Sequence, residues 1–382
     1  MLTLRALPPR RLFARRRPSA TDLSALYFDT LWRHWSAGDR AIGLGLSAAA
    51  AARNLLGGPR SGWWRGWDAA EQALLAGAGD ADAHLAMAAR KGLHRLINPG
   101  AYPLSANPLK NKRLFAERCR AAGLPVPETF RGDDAALGLW LASQAAVIVK
   151  PNYASKGVGV VAYRRAGDGW RSGGRDLSQG ETLAAVAAAW RAGAVAQAAC
   201  APHPRLPRLS PGALPTLRVM TAVNESGAVE ACDRVLRLSA GGPRPVDNFN
   251  AGNIVASVTP DGRIGRGFRR AGAEVVELAR HPVSGETLAG QPIPDLDAAV
   301  ALAIRAHGAF RDGFAVVGWD VGLAEGGPTL IEGNWNPGAD ILQLVSGRGL
   351  GDSRLGELYA WRLRRLPAET WARAAPIERD RR

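Results

Sequence analysis

Between Phe314 and Asp340 the chain reads FAVVGWDVGLAEGGPTLIEGNWNPGAD, and this stretch constrains its fold more than any other. Two apolar segments, Phe314–Leu323 and Thr329–Gly333, flank a Glu-Gly-Gly-Pro turn, the pattern of a β-hairpin. Each segment carries one acid, Asp320 and Glu332. Folding about Gly326 brings the two roughly opposite each other. Side chains alternate faces along a strand, so Glu332 and Asn334 share a face while Gly333 points away. Two carboxylates and an amide oxygen then converge among Val316, Val317, Leu330 and Ile331. Unpaired carboxylates in such surroundings repel each other and lose solvation. A hard divalent cation held by oxygen ligands resolves that conflict. Solvated acids beside a turn are the competing reading.

The chain of 382 residues has room for two or three domains. A hydrophobic fraction of 47% is enough for a core. The net charge of +15 invites a nucleic acid or an anionic surface as partner. The charge gathers at the ends, however. Residues 1–20 hold six arginines and no acid, and Arg362, Arg364, Arg365, Arg373, Arg379, Arg381 and Arg382 crowd the other end. Such runs are usually solvated tails. No RNA-binding signature or zinc-finger spacing accompanies them, so nucleic acid is not expected. Contact between the basic termini and an anionic membrane face stays open. The longest apolar run, Ala41–Ala52, is too short to span a bilayer, and no apolar segment with a cleavage site follows the basic start. Cys119, Cys200 and Cys232 have no paired spacing, which argues against a disulfide framework or zinc site and for a reducing, cytoplasmic setting.

Lysine usage narrows the search. Only five of the 49 basic residues are lysine: Lys91, Lys110, Lys112, Lys150 and Lys156. A phosphate site that needs a compact, mobile charge does not simply accept arginine's planar fork. The cluster between 110 and 156 therefore marks candidate phosphate contacts. Lys150 ends an apolar strand, AAVIVK, and a buried strand ending in a lone charge is costly unless the charge faces an anion. Pro151 and the loop Asn152–Gly157 follow. The glycines in Ser155-Lys156-Gly157-Val158-Gly159 let backbone N–H groups approach phosphate oxygens. Neither G-x-x-x-x-G-K-[ST] nor G-x-G-x-x-G is present here.

In chain order, residues 1–20 form a basic tail. Helices are expected over Leu23–Trp35, Ala69–Ala76 and Ala81–Leu96. The loop Gly57–Trp67 carries Trp63, Trp64 and Trp67, which are read as packing residues rather than a binding platform. A helix over Asn107–Ala122 opens the next unit, followed by strands Ala145–Lys150 and Gly157–Tyr163, a helix Glu181–Arg191 and a strand Ala194–Ala199. A proline-rich connection, Ala201–Pro215, leads to strands Thr216–Val223, Val229–Leu238 and Asn253–Val258. An amphipathic helix, Asp295–Phe310, precedes the hairpin. Ser353–Leu366 is expected to close the chain as a surface helix.

The order Asn111-Lys112 at a helix start, GLPVP (Gly123–Pro127), IVKP (Ile148–Pro151) with SKGVG, TLRVMT (Thr216–Thr221), GWD (Gly318–Asp320) and EGNWNPG (Glu332–Gly338) resembles the ATP-grasp superfamily. The resemblance covers about Ala106 to Leu350 and is closest to the sugar-transfer-associated branch. It implies an α+β fold in which two lobes clamp the nucleotide beside a helical N-terminal extension. The expected divisions are 1–100 for tail and extension, 101–195 for the small lobe, 196–350 for the large lobe with the metal site, and 351–382 for a helix and basic tail. It further implies ATP and magnesium, or manganese in its place. Lys112 and Lys150 are implied to hold the phosphates. Ser155, Lys156, Gly157 and Gly159 belong to the loop that closes over them. Gln197 and Ala199 lie where a hinge strand borders adenine, although the acid common after the glutamine is absent. Arg218 is implied to face the transferred phosphoryl group, which with Lys150 makes the catalytic pair. Asp320, Glu332 and Asn334 are the implied magnesium ligands.

Alternatives stand beside these roles. Lys112 could be solvated, and Arg218 could pair with Asp233 on the neighbouring strand. Asn250 is a candidate substrate contact, or part of Asx-turns with Asp247 and Asn248. Asn336 is another candidate contact, or turns the chain before Pro337. The implied reaction joins a carboxylate to an amine through an acyl phosphate, on a small-molecule or saccharide-linked substrate. The branch name points to cell-surface polysaccharide or amino-sugar modification. An ATP-dependent sugar or alcohol kinase and a non-catalytic nucleotide-binding protein are the rivals.

Overall fold

A computed structural model describes residues 21–40 and 69–374, apart from 77, 156, 243, 244 and 273. The basic tails, the apolar run Ala41–Ala52, the tryptophan loop Gly57–Trp67 and Lys156 therefore lie outside the described residues. Two antiparallel sheets organise the rest. The smaller has strands β1 (Ala146–Lys150), β2 (Val161–Ala166), β3 (Gly169–Ser172), β4 (Arg175–Leu177) and β5 (Val195–Ala198), in the order β4-β3-β2-β1-β5. Helices Asp134–Ser143 and Gln179–Arg191 supply Leu137, Leu141 and Val186, which pack with Val147, Val149 and Trp170. Ser178 and Glu181 form a reciprocal capping box that starts the second helix.

The larger sheet has strands β6 (Thr216–Val223), β7 (Val229–Leu238), β8 (Ile254–Val258), β9 (Ile264–Ala271), β10 (Glu274–Leu278), β11 (Val316–Ala324) and β12 (Gly327–Asn334), in the order β10-β9-β8-β7-β6-β11-β12. Period-two alternation sends Leu217, Val219, Val317, Trp319 and Val321 to one face. The helix Leu296–Phe310 covers that face with Ala299, Leu302, Ala303, Ala306 and Phe310, spaced as one helical stripe. Phe115 and Cys119 of the helix Lys112–Ala121 join this core. The opposite face presents Met220, Ala222, Val235, Val255 and Val316. At one end it is roofed by helices Leu23–His34, Met87–Ile97, Asp340–Ser346 and Arg354–Leu363.

Several elements depart from the sequence reading for local reasons. The closing helix is not a surface element: Leu355, Leu358, Tyr359 and Leu363 are buried against the N-terminal helices. The helix expected from Asn107 begins at Lys112. The Asn107 side chain instead turns back, accepting from Leu109 N at 2.8 Å and donating to Ala101 O at 3.0 Å. The stretch Ala81–Leu96 is broken into a single turn, Ala81–Ala83, and the helix Met87–Ile97. The break is held by Gln343 Oε1, which accepts from Leu85 N at 2.7 Å, and by Glu71, which accepts from Met87 N at 2.8 Å. Among the described residues no helix is long and apolar enough to cross a membrane, and all three cysteines are free.

Candidate functional site

The hairpin turns at Glu325-Gly326, with Ala324 opposite Gly327. Near the turn Val321 faces Leu330, but one step later Asp320 faces Glu332, so Ile331 is an extra residue in β12. Without this bulge the ladder would set Ile331 opposite Asp320 and send Glu332 to the Trp319 face. The bulge turns both acids onto the same face. Asn334 follows on that face opposite Gly318, and its amide nitrogen donates to Gly318 O and Glu332 Oε1, each at 3.3 Å. Its Oδ1 is left unengaged among the described residues.

Asp320 is held by two arginines. Arg218, directly opposite it on β6, donates through Nε to Oδ1 and through Nη2 to Oδ2, the latter at 2.9 Å. Arg218 is thus tied to Asp320 and not to Asp233, whose neighbour is Arg348 at 3.8 Å. Arg237 on β7 donates to Asp320 Oδ2 at 2.9 Å and to Asp247 Oδ1 at 2.8 Å, and Thr216 donates to the other Asp247 oxygen. Burial alone would raise the Asp320 carboxyl, but the guanidinium groups of Arg218 and Arg237 outweigh it and hold it below the usual range. Glu332 goes the other way: burial and the neighbouring Asp320 charge raise it. The pair thus has one firmly ionised member and one that resists ionisation.

The lysines gather on the small-lobe side of Glu332. Lys150 is 9% exposed, and burial lowers its pKa while Glu332 opposes that shift. Lys112 donates to Asn152 O at 3.2 Å and Ala154 O at 2.6 Å, fixing the start of the glycine loop. Its pKa is lowered to about 8 by burial, against the pull of Glu332. Lys110 donates to Ser155 Oγ at 2.9 Å. Gly157 and Gly159 both have left-handed backbone, with φ of +70° and +72°. A Cβ on Gly157 would meet Asn248 Oδ1 and Val246 Cγ1, each at 2.9 Å. The glycine loop therefore lies directly on the large-lobe segment that contains Asp247.

Lys112, Ser155, Gly157, Val246 and Asn248 line a cleft of ≈ 930 Å³ between the lobes, bounded also by Ile148, Lys150, Gln197, Ala199, Cys200 and Glu332. The Gln197 side chain is turned to Thr129 Oγ1 at 2.8 Å. The Ala199 amide donates to Ala146 O at 2.9 Å and so is engaged in the sheet edge. The Ala199 carbonyl and Cys200 amide have no such partner among the described residues, and they offer an acceptor and a donor to the edge of a planar ring.

A second cleft, ≈ 1610 Å³, shares Lys112, Ser155, Arg237, Asn248 and Glu332 with the first. Arg218, Asn334 and Asn250 line it, Asn250 as an exposed rim residue. Asn336 is placed differently from a free substrate contact. Its Oδ1 accepts from Arg90 Nη1 and, at 3.0 Å, from His94 Nδ1. Arg90 also donates to Asn336 O at 2.9 Å and Pro337 O at 2.8 Å. The Tyr359 hydroxyl completes the chain, 2.7 Å from His94 Nε2, and burial lowers His94 to about 3, which keeps it neutral.

Sequence reasoning missed Arg90, His94, Asn98 and Arg237. The fully buried Asn98 donates to Val316 O at 2.8 Å and Trp335 O at 2.6 Å, and accepts from Ala315 N at 2.7 Å, which ties the open end of the hairpin. In the sequence, Asn98-Pro99-Gly100 signals only a break between units, and nothing local marks the contacts of Asn98.

The donor set fits a hard cation. Among the described residues no three His, Cys, Asp or Glu side chains cluster as a metal site, and a third oxygen donor beside the two acids would come from Asn334. Its free Oδ1, the ionised Asp320 and the adjacent Glu332 supply oxygen only, as magnesium requires. A cation there would also relieve the repulsion that raises Glu332.

The family described as sugar-transfer associated ATP-grasp matches residues 90–357. That span begins inside the helix Met87–Ile97, earlier than the Ala106 expected from the motifs. No curated protein sequence matches the chain. Among solved structures, the chain is similar to the ADP complex of an N5-carboxyaminoimidazole ribonucleotide synthetase, with 13% identity, 62% of this chain and 47% of that one covered, and a TM-score of 0.36. It is similar to D-alanyl-alanine synthetase A from Vibrio cholerae O1 biovar eltor, with 11% identity, 72% and 66% covered, and a TM-score of 0.37. It is also similar to D-alanine–D-alanine ligase from Bacillus anthracis, with 11% identity, 68% and 70% covered, and a TM-score of 0.36. The chain thus spans about half the length of the first of these, and the likenesses are too distant to bear on its activity. The family match covers well over half of the chain and contains both sheets, the whole of the first cleft, most of the second and the acid pair: the protein belongs to the sugar-transfer associated ATP-grasp family.

Proposed function

We propose that the protein is an ATP-dependent ligase that joins a carboxylate to an amine. The observation that carries this reading is the junction of the two clefts at Glu332 and Arg237. ATP in the first cleft would present its γ-phosphate at that junction, and a carboxylate in the second would meet it there. The adenine edge would lie against the Ala199 carbonyl and Cys200 amide. Lys112, Lys150 and the loop Ser155–Gly159, Lys156 included, would hold the phosphates. Asp320, Glu332 and Asn334 would bind magnesium, or manganese, which when bound offsets the charge of the phosphate oxygens.

In the first step a carboxylate oxygen of the acceptor attacks the γ-phosphorus and ADP leaves. In the second an amine attacks the acyl carbon, phosphate leaves and the amine loses a proton. No protein nucleophile is required. Lys150 and Arg218 act by positioning and charge, the terms that dominate phosphoryl transfer. Arg237 keeps Asp320 ionised and oriented. Taking the family's sugar-transfer description together with the size of the second cleft, we place the acceptor among saccharide-linked carboxylates or amines of cell-surface polysaccharide.

The test is incubation with ATP, magnesium and mixtures of amino sugars, uronic acids and amino acids, followed by mass detection. The expected result is stoichiometric ADP, phosphate and an amide product. A phosphorylated sugar or alcohol would replace the ligase reading with a kinase. Absence of nucleotide turnover with every mixture, alongside tight ADP binding, would favour a nucleotide-binding protein.

A further inference from the structure

We propose that Arg270 anchors an anionic group at the far end of an elongated acceptor, a proposal that rests on the ligase reading and deepens it. Arg270 lines the second cleft. Cross-strand partners share a face, and Arg237, Val255 and Phe268 stand in one row across β7, β8 and β9. Arg270 lies two residues beyond Phe268 and so projects to the same face as Arg237. From β11, which carries Asp320, to β9 the sheet order runs through β6, β7 and β8. Four strand spacings of ~4.8 Å amount to about 19 Å. The Arg270 backbone is therefore well separated from Asp320, twice as many strands away as Arg237.

Its guanidinium is fixed but not neutralised. It sits over the Phe249 ring, 5.5 Å from the centroid. Its Nε is buried with no hydrogen-bond partner. The residue makes no ion pair among the described residues. Its cross-strand neighbour is Val275, and the nearby Glu277 is engaged by Arg266 at 2.7 Å. Of the other cleft arginines, Arg218 and Arg237 are bound to acids and Arg90 to Asn336 and Pro337; Arg113 shares the unpartnered Nε, but its Nη2 donates to the carbonyls of Trp190 and Ala194. A buried donor without an acceptor is unfavourable. The terminal nitrogens have no partner among the described residues, and a carboxylate or phosphate on the acceptor would pair with them through charge-assisted bonds. The reacting carboxylate belongs near Arg218, so this is a second anionic group.

The experiment uses the full chain saturated with ADP and magnesium, so that the nucleotide site is filled. Inorganic phosphate and glutarate are titrated by calorimetry against the wild type, Arg270→Gln and, as control, the exposed Arg191→Gln, which lines neither cleft. The expected result is saturable millimolar binding of one of the two anions, weakened at least tenfold by Arg270→Gln and unchanged by Arg191→Gln. Which anion binds tells a phosphate-bearing from a carboxylate-bearing acceptor. Equal affinity in Arg270→Gln, an equal loss in Arg191→Gln, or no saturable binding of either anion to the wild type overturns the proposal. ADP affinity, measured first on each variant, reports separately on the nucleotide site and on folding.

Discussion

Asp320 and Glu332 face each other across the last two strands because Ile331 is an extra residue between Glu332 and the turn. A regular ladder would bury Glu332 among Trp319 and its neighbours, on the face covered by the helix Leu296–Phe310. One bulge thus decides whether the chain has an acid pair at all. Arg218 and Arg237 then settle which of the two acids stays ionised.

The open end of the hairpin depends on Asn98. Replacing it with alanine leaves the carbonyls of Val316 and Trp335 and the amide of Ala315 buried without partners. A loss of about 3–5 kcal/mol in unfolding free energy is expected, since each orphaned group costs ~1–3 kcal/mol. Urea unfolding of Asn98→Ala measures it. A loss under about 1 kcal/mol would show that the hairpin is held elsewhere.

Gly157 allows the glycine loop to lie on Val246 and Asn248. In Gly157→Ala the left-handed backbone costs about 1 kcal/mol, and the new methyl group collides with both neighbours. ADP affinity is expected to fall about tenfold, with the melting temperature unchanged within a few degrees, because the change is confined to a loop. Fluorescence titration with ADP checks the first and calorimetry the second.

Lys112 should lose its proton near pH 8, the value to which burial lowers it. Its charge is present below that pH and disappears above it. If Lys112 holds phosphate, ADP affinity drops several-fold between pH 7 and pH 9. Lys112→Arg, which stays charged throughout, should bind with a flat profile over that range. The same slope in both proteins would place the titrating group elsewhere.

Asp233 gives a stability signature away from the site. Burial raises its carboxyl to about 6, with Arg348 opposing. A folded-state pKa above the unfolded value means that this residue's contribution is fully present below about pH 4 and is lost as pH rises to about 6. Above that, ionisation costs up to about 3 kcal/mol. Asp233→Asn should therefore raise the melting temperature at pH 8 and bring no gain at pH 4.

Much of this architecture is legible in the sequence. Thr216–Val223 and Val229–Leu238 alternate cleanly, and the structure has strands over the same residues. The acids of the hairpin announce themselves as isolated charges in apolar strands. The lysines of 110–156 stand out against an arginine background. Other features carry no such signal. Ile331 looks like any apolar strand residue, and its bulge depends on where the turn falls. Strands β9 and β10 are rich in arginine and glutamate, so period-two hydrophobicity is lost, and β3 and β4 are too short to show it. Arg90 and Asn98 act on residues more than 200 positions away, which no local pattern records.

The most direct test of the acid pair is the magnesium dependence of ADP binding in Glu332→Gln, measured by calorimetry with and without magnesium. The substitution keeps the shape and leaves Asp320 paired with its two arginines. The wild type is expected to bind ADP at least tenfold more tightly with magnesium. Glu332→Gln should keep the metal-free affinity and lose most of that enhancement. An undiminished magnesium effect in the variant would contradict the assignment of Glu332 as a metal ligand, and with it the account of the hairpin.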